Sequence, residues 1–335
     1  MIIDCHGHYT TVPEDMNVYR NAQLADLANL SPGTVSEDIT DDQLRESLEG
    51  AQLRLQRERG TDLTIFSPRA SAMAHHLGSE KANVYWSEHW NNLIYRICNL
   101  YSDNFVPVGM LPQFPGVEPK NCLAEIDRIV NELGFIGINL NPDPTGGWWN
   151  DPPLFDKWWY PVYEKMVELD IPAMVHVSQT KNPAFHFTGT HYINADTTAF
   201  MQLLTSDILK DFPTLKFIIP HGGGAVPYHW GRYRGLAQDN DWTPATELIE
   251  DNIFFDTCVY HQPGIDLLLK VIPPENILFG SEMVGAVRGI DPTTGFNYDD
   301  TKRYVDHVDW LSEGEKTAIY EGNVRKVFSR FKTTA

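Results

Sequence analysis

The sequence predicts a single α/β domain built as a (β/α)8 TIM barrel. The chain has 335 residues with 42% hydrophobic content, which is enough to bury one large core. Eight short apolar runs alternate with longer stretches of helical periodicity. These runs are continuously apolar, as in parallel strands that are buried on both faces. We therefore expect one domain over residues 1–335 rather than two.

The first strand is the apolar run that begins at Ile2 and ends at His8. It lacks the G-x-G-x-x-G turn of a doubly wound open sheet, so the main rival architecture is not favoured. Residues 9–39 contain Pro, Gly, Asn and Ser without a clear period. This composition predicts a long loop with a short helix near 24–30.

The first long helix is predicted over 41–59. Thr40 and Gln43 have the spacing of a capping box, which marks a helix start. Apolar residues then recur at helical spacing, namely Leu44, Leu48, Ala51 and Leu55. Gly60 ends this pattern, and the second strand follows directly.

The remaining elements keep the same alternation. Apolar runs predict strands at 62–66, 105–110, 135–140, 172–177, 215–220, 253–256 and 276–280. Helical stretches separate them at 82–101, 119–133, 158–169, 195–211, 228–250 and 265–271, with a final helix at 313–331. Strand and helix counts both suit a closed barrel.

The charge and the cysteine content limit the classes of protein that the chain can belong to. The chain carries 45 acidic and 26 basic residues, a net charge of -19, which argues against binding nucleic acid or an anionic membrane. The 4 cysteines are far apart and form no C-x-x-C pair, so a reducing compartment fits best. The chain begins directly in a strand and has no apolar run of the roughly 20 residues that span a bilayer. We expect a cytoplasmic protein.

Chemistry-bearing residues follow the strands, where the active site of such a barrel lies. His6 and His8 are two residues apart on the first strand, so both side chains point the same way. His176, His221 and Glu282 follow the fifth, sixth and eighth strands. Imidazoles and one carboxylate are ligands that suit one Zn²⁺, with Mn²⁺ or Fe²⁺ as substitutes. A single histidine of this kind is more often a packed residue, but four strand ends agree here.

This arrangement resembles the amidohydrolase superfamily over the whole chain, a family of metal-dependent hydrolase-type barrels. The resemblance implies that His6, His8 and His176 are metal ligands. It places His221 beside the ion, where it polarises substrate or moves protons. The family usually has Asp where this chain has Glu282, and the extra methylene could let Glu282 bind the ion directly.

The resemblance also implies one ion rather than two. A two-metal member of the superfamily carries a lysine after the fourth strand, which is carbamylated to bridge the ions. Asn139 and Asn141 stand at that place here.

Longer segments resemble a narrower group, the 4-oxalomesaconate hydratases, within the aminocarboxymuconate-semialdehyde decarboxylase-like subgroup. The segments are Asp4-Cys5-His6-Gly7-His8-Tyr9, Phe66-Ser67-Pro68-Arg69-Ala70-Ser71, Asn139-Leu140-Asn141-Pro142-Asp143-Pro144, the run from Pro220 to Trp230, and the run from Ser281 to Gly289. The resemblance implies zinc-dependent addition of water to a carbon-carbon double bond of an unsaturated tricarboxylate. Such enzymes give 4-carboxy-4-hydroxy-2-oxoadipate in protocatechuate and gallate degradation.

Three residues are candidates for proton transfer in this reaction, namely Glu282, Glu46 and His221. Glu46 is a candidate only through the family resemblance, because the segment Asp41-Asp42-Gln43-Leu44-Arg45-Glu46 resembles the acidic helix of the family. Its sequence context alone indicates a solvated surface residue. The division of acid and base roles among the three stays open.

The expected substrate is a small anionic tricarboxylate, which needs cations inside an acidic protein. Guanidinium groups bind carboxylates through paired hydrogen bonds. The candidate substrate contacts are Arg69, Ser71, His75, Asn139, Arg232 and Arg288. Arg69 and Arg288 are preferred because they follow the second and eighth strands. We also expect a homo-oligomer.

Three other functions fit parts of the pattern. A metal-dependent decarboxylase of the aminocarboxymuconate-semialdehyde or aromatic-acid type would share the histidines, but Asp at position 282 would suit it better. A hydrolase of amides or lactones is a second enzyme alternative. A non-catalytic, metal-stabilised binding protein is the third, although arginines around the same rim favour a small anionic ligand.

Overall fold

The computed structural model describes residues 1–332, in which parallel β-strands alternate with helices. The strands are β1 Ile3–Tyr9, β2 Leu63–Pro68, β3 Phe105–Pro107, β4 Gly109–Met110, β5 Ile138–Leu140, β6 Ala173–Val175, β7 Phe217–Ile219, β8 Ile253–Asp256 and β9 Ile277–Leu278. Every pairing between these strands is parallel. The predicted α/β fold is therefore confirmed.

The strands follow one another around a ring. One sheet has the order β1-β2-β3 and the other has the order β4-β5-β6-β7-β8-β9. Strands β3 and β4 are two parts of the predicted third strand and are separated by one residue, Val108. The amide of Val108 donates to the Phe66 carbonyl, so the ladder with β2 continues across the gap.

Backbone hydrogen bonds also join the last strand to the first. The Cys5 amide donates to the Phe279 carbonyl at 2.8 Å, and the Glu282 amide donates to the His6 carbonyl at 2.9 Å. The buried Asp4 carboxylate reinforces this seam, because it accepts from the Ser281 amide at 3.0 Å and from the Ser281 hydroxyl. These contacts bring β1 and the segment after β9 together at one rim.

Helices cover the outside of the strands. They are α1 Asp15–Ala25, α2 Val35–Asp38, α3 Asp41–Glu49, α4 Gln52–Glu58, α5 Ala70–Met73, α6 Glu80–Leu100, α7 Leu123–Asp127, α8 Tyr160–Leu169, α9 Tyr192–Leu204, α10 Ile208–Asp211, α11 Trp230–Asp239, α12 Ala245–Ile249, α13 Gln262–Val271, α14 Thr301–Asp306, α15 Glu313–Thr317 and α16 Asn323–Val327. Over residues 1–332, none of the helices combines the length and the apolar character that a bilayer span requires.

Two predicted helices differ from the observed ones in ways that the backbone explains. The helix predicted over 41–59 breaks between α3 and α4, since Ala51 leaves the helical region at φ -137° and ψ -94°. The helix predicted near 24–30 instead covers Asp15–Ala25, followed by a 3-10 turn at Leu27–Asn29. The capping box of Thr40 and Gln43 is present as predicted.

The barrel interior is filled at the end opposite the rim histidines. Ile3, Cys5 and Ile218 belong to an interior cluster of buried side chains that also contains Val327 and Phe328 from the C-terminal region. Since these side chains pack against the strands, the C-terminal helix closes this end of the barrel. Within the described residues this packing fills the end of the barrel opposite the rim where the strands end.

Candidate metal centre and catalytic cavity

Four imidazoles meet at the carboxyl ends of three strands. His6 and His8 lie on β1, and their side chains share one face because they are two residues apart. His176 follows β6 directly, and His221 comes two residues after β7. The ring centroids of His6 lie 4.8 Å from His8, 5.2 Å from His176 and 5.3 Å from His221. All four side chains are buried.

Three of these imidazoles are held through the Nδ1 atom, which leaves Nε2 for the centre of the cluster. His6 Nδ1 lies 2.6 Å from a carboxylate oxygen of Asp256, and His8 Nδ1 lies 2.7 Å from the Ser67 hydroxyl. His176 Nδ1 donates to the carbonyl of the following residue at 2.7 Å. Because partners of this kind fix the ring orientation and the tautomer, they are typical of metal-ligating histidines.

The free ring nitrogens fit a metal ion. His6 Nε2 and His8 Nε2 lie 3.0 Å apart. Two nitrogens that share one ion at about 2.1 Å each are separated by roughly 3.0–3.4 Å. His176 Nε2 is buried and has no hydrogen-bond partner among the described residues. Such an orphaned polar atom is costly unless a ligand satisfies it.

The mutual distances differ in one member from the predicted ligand set. Ligand atoms of His6, His176, His221 and Glu282 all lie within 4.8 Å of one another. The prediction grouped His6, His8 and His176 with Glu282, so His221 stands in this group in place of His8. His8 lies beside the group, with its Nε2 3.0 Å from His6 Nε2.

Burial lowers the pKa of two of these imidazoles. The pKa of His176 falls well below its usual range, mainly through burial and then through the neighbouring His8. The pKa of His8 falls in the same way, with burial first and His6 second. Both rings are therefore neutral at physiological pH, which is the protonation state that binds a cation.

Glu282 is held in the cluster by an unusual backbone conformation. Its φ is +49°, a region that a residue other than glycine rarely occupies. Its buried carboxylate accepts a hydrogen bond from the Tyr260 hydroxyl at 2.8 Å. An added Cβ at Gly285 would lie 2.6 Å from the Glu282 Cγ, so the absence of a side chain there leaves room for the glutamate.

His221 is paired with a carboxylate behind it. Its Nδ1 lies 2.9 Å from Asp196 of α9, and its Nε2 lies 3.9 Å from the Glu282 carboxylate. Burial alone would lower the pKa of His221, but the charge and hydrogen bond of Asp196 raise the pKa to about 9. His221 Nε2 has no hydrogen-bond partner within residues 1–332.

A cavity of about 260 Å³ opens above this cluster. Its lining includes His8 and Glu282 together with Arg69, Ser71 and Arg288. Across the described residues, Glu282 is the only carboxylate in the lining. Neither guanidinium has an ion pair or side-chain hydrogen bond within residues 1–332. The cavity therefore combines a metal-competent cluster with uncompensated positive charge.

Glu46 is not brought to this cavity, contrary to its expected catalytic role. It lies on the exposed face of α3, whose buried residues are Leu44 and Leu48. Position 46 is two residues from each of these, and two residues correspond to about 200° around a helix. The same packing that docks α3 therefore turns Glu46 toward solvent.

Three expected substrate contacts also lie outside the cavity. His75 is fully buried, with Nε2 donating to the Leu111 carbonyl and Nδ1 accepting from Asn141. Asn139 is buried below the cluster, where it lines a small void next to His6. Arg232 is exposed on α11. His75 is held by hydrogen bonds in the interior, whereas Asn139 is buried with its side-chain nitrogen unpartnered among the described residues, and Arg232 is exposed.

Two residues of the site are not identified by any pattern in the sequence. Asp196 lies inside a helix rather than at a strand end, so its contact with His221 follows only from the packing of α9. Tyr260 lies four residues after the end of β8, in a loop. A search restricted to residues directly after strands misses both.

Fold and cluster together define a barrel enzyme of the metal-dependent amidohydrolase class. The chain belongs to the amidohydrolase family, whose family model matches residues 3–330. It is 59% identical over 330 residues to a 2-keto-4-carboxy-3-hexenedioate hydratase from Sphingobium sp. strain SYK-6, covering 98% of this chain and 96% of the relative.

Solved structures agree with the assignment of this chain to the amidohydrolase family. The crystal structure of 4-oxalomesaconate hydratase from Rhodopseudomonas palustris matches with a TM-score of 0.91 and 56% identity, covering 98% of this chain and 96% of that chain. A 5-carboxyvanillate decarboxylase from Novosphingobium aromaticivorans, in complex with manganese, shares the fold with a TM-score of 0.69 and 19% identity, covering 98% and 96%. The predicted enzyme class, a hydro-lyase of this family, is confirmed by the two hydratases.

Proposed function

We propose that this chain is a 4-oxalomesaconate hydratase that depends on one zinc ion. The observation that carries the proposal is one cavity that Arg69 and Arg288 line together with His8 and Glu282. Whole-length similarity to two hydratases supports the same reaction. The pathway would be protocatechuate and gallate degradation, in which such tricarboxylates occur.

The two relatives act on compounds whose names describe one carbon skeleton, an unsaturated keto tricarboxylate. In 2-keto-4-carboxy-3-hexenedioate the double bond is conjugated with the ketone, and hydration places a hydroxyl on the carbon that bears a carboxylate and a proton on the carbon next to the ketone. The product is 4-carboxy-4-hydroxy-2-oxoadipate. Because the ketone withdraws electrons from the double bond, negative charge develops on its oxygen when the hydroxyl adds. The site must therefore bind three carboxylates, deprotonate water and stabilise an enolate.

Arginines supply the carboxylate binding. Arg69 and Arg288 have no competing acidic partner within the described residues, so both are free to pair with substrate. Guanidinium groups remain charged at any physiological pH and bind carboxylates through parallel hydrogen bonds. The Ser71 side chain lines the same cavity and offers a further polar contact. This positive lining counteracts the net charge of -19.

Glu282 is the proposed base for water. Its carboxylate accepts a hydrogen bond from the Tyr260 hydroxyl, which fixes one carboxylate oxygen in place. His221 is the proposed partner of the enolate oxygen, because its Nε2 is unpartnered and Asp196 favours the imidazolium form. A proton on that nitrogen can be donated as negative charge develops. Neither role is assigned to Glu46, which lies on the exposed face of α3.

The proposed ligands of the metal ion are His6, His8, His176 and Glu282. A bound divalent ion supplies Lewis acidity toward oxygen atoms of substrate and water. Asp256 and Ser67 hold His6 and His8 in the orientation that presents Nε2. The same donor set can also bind Mn²⁺ or Fe²⁺.

The test is to incubate zinc-loaded protein with 4-oxalomesaconate. We expect loss of the substrate absorbance and appearance of the tertiary alcohol by NMR, without carbon dioxide. The control is protein treated with a chelator and then reconstituted with zinc. Release of carbon dioxide from a carboxymuconate or an aromatic acid, with no hydration, would show a decarboxylase instead.

A further inference from the structure

A second pocket of about 200 Å³ shares a wall with the catalytic cavity. We call it the side pocket, and its polar lining consists of Asn17, Arg20, Asn21, Arg69, Ser71 and Gln179. Arg69 and Ser71 line both spaces. The side pocket is therefore adjacent to the proposed catalytic site, and Arg69 and Ser71 form the wall between them. Asn17, Asn21 and Gln179 are exposed and form its mouth.

Arg20 is a buried cation without an anion. Its side chain is 7% exposed, and its guanidinium lies 5.1 Å from the centre of the Trp86 ring. Its terminal nitrogens donate only to neutral oxygens, including the Asn83 side chain at 2.8 Å and the Leu77 carbonyl at 3.3 Å. Its Nε has no partner, and no carboxylate pairs with Arg20 within residues 1–332.

An unpaired buried charge costs free energy that a counter-ion normally offsets. Burial lowers the pKa of Arg20 to about 10, so the group remains charged at neutral pH. The lining of the side pocket contains two arginines and no acidic residue, although the chain has 45 acidic residues in all. Its other polar groups are amides and a hydroxyl, which can donate hydrogen bonds. This lining suits an anion.

We propose that the side pocket is a carboxylate-binding site in which Arg20 and Arg69 supply the positive charge. The carboxylate could belong to the tricarboxylate substrate, which would extend past Arg69, or to a separate small organic acid. The first source rests on the proposed function, whereas the second is independent of it. Either source fills a space beside the catalytic cavity that none of the cluster histidines or Glu282 lines, so its occupation is expected to affect binding more than the chemical step.

The test uses Asn21→Asp, which places a negative charge in the side pocket but not in the catalytic cavity. Asn21 is exposed, so the fold is expected to be unaffected. Asn21→Gln controls for loss of the amide geometry, and Asn240→Asp adds the same charge at a remote exposed position. Two experiments are made on zinc-loaded protein: steady-state kinetics, which give KM and kcat for the tricarboxylate, and calorimetry, which gives the Kd of succinate.

If the substrate's carboxylate occupies the side pocket, Asn21→Asp raises KM by about three- to tenfold with kcat unchanged, since a like charge opposes binding. If a separate acid occupies it, KM stays the same and the Kd of succinate rises by a similar factor. The proposal is overturned if neither the KM nor the Kd of succinate in Asn21→Asp differs from the values in both control variants. If the wild-type protein does not hydrate the tricarboxylate, the succinate titration alone decides.

Discussion

At the scale of single residues, the centre is organised by partners that lie behind the histidines. Asp256 and Ser67 hold the Nδ1 atoms of His6 and His8, and Asp196 holds that of His221. The Asp256 carboxylate is fully buried, which would raise its pKa, but the hydrogen bond and charge of His6, the charge of His221 and the Gly222 amide together lower the pKa. Each ring is thus oriented before any ligand binds, so little rearrangement accompanies binding.

Two glutamates that the sequence proposed together should behave differently. We predict that Glu282→Gln lowers kcat by about 10²-fold or more, because it removes the proposed base from the cluster. Glu46→Gln should change kcat by less than about twofold, since Glu46 is exposed on α3. Steady-state kinetics of both variants provide the measurement. A large loss in Glu46→Gln would place this glutamate at a reacting site, for example that of a second subunit.

His75 offers a prediction for stability rather than activity. Burial lowers its pKa to about 3 from a usual value near 6.5, so the folded protein keeps this ring neutral. Below pH 6.5 the unfolded chain binds a proton that the folded chain does not. The free energy of unfolding should therefore decrease by up to about 1.4 kcal/mol per pH unit as the pH falls from 6.5.

The measurement compares urea unfolding of the wild-type protein and His75→Gln between pH 7 and pH 5. The variant is less stable at pH 7, because the bonds to Leu111 and Asn141 are disturbed. Its free energy of unfolding should fall less steeply with decreasing pH. Parallel curves for the two proteins would contradict the assignment of this titration to His75.

At the scale of elements, the strands were predictable because their apolar runs are continuous. Once the strands are placed, the residues that directly follow them are predicted to lie at the site. His6, His176 and Glu282 are examples, since strand ends in a barrel share one rim. Helix limits were less predictable. The break at Ala51 depends on backbone angles that no periodicity encodes. Asp196 reaches the site from within a helix, which requires knowledge of packing.

The loop after β9 positions Glu282 and gives a further prediction. In Gly285→Ala the new methyl would lie 2.6 Å from the Glu282 Cγ and 2.5 Å from its carbonyl oxygen. The glutamate must move, so kcat should fall by about tenfold or more. Gly289→Ala is the matched control in the same loop, because its nearest neighbour is 3.9 Å away. Equal kinetics for the two variants would show that the loop adapts without moving Glu282.

At the scale of the whole molecule, the site depends on closure of the ring. His6 and His8 come from the first strand, whereas Glu282 comes after the last, and the Glu282 amide bonds the His6 carbonyl across the seam. The ligand set therefore exists only when both ends of the chain have assembled. A cation held by residues from β1, β6 and the segment after β9 would link distant parts of the barrel.

This link predicts that zinc raises the stability of the entire fold. The unfolded chain does not hold these donors together, so zinc binds the folded state preferentially. At 100 times its Kd the ion should add about 2.7 kcal/mol to the free energy of unfolding. Thermal unfolding of chelator-treated and zinc-loaded protein measures the effect.

His176→Asn should lose most of this zinc-dependent shift, because His176 supplies one of the buried Nε2 atoms without a partner. His229→Asn should retain the whole shift, because this exposed histidine lies outside the cluster. A shift of equal size in both variants would mean that zinc stabilises the fold from another place. Measuring unfolding instead of turnover tests the metal ligands independently of the reaction. The ligand set can therefore be tested without a substrate.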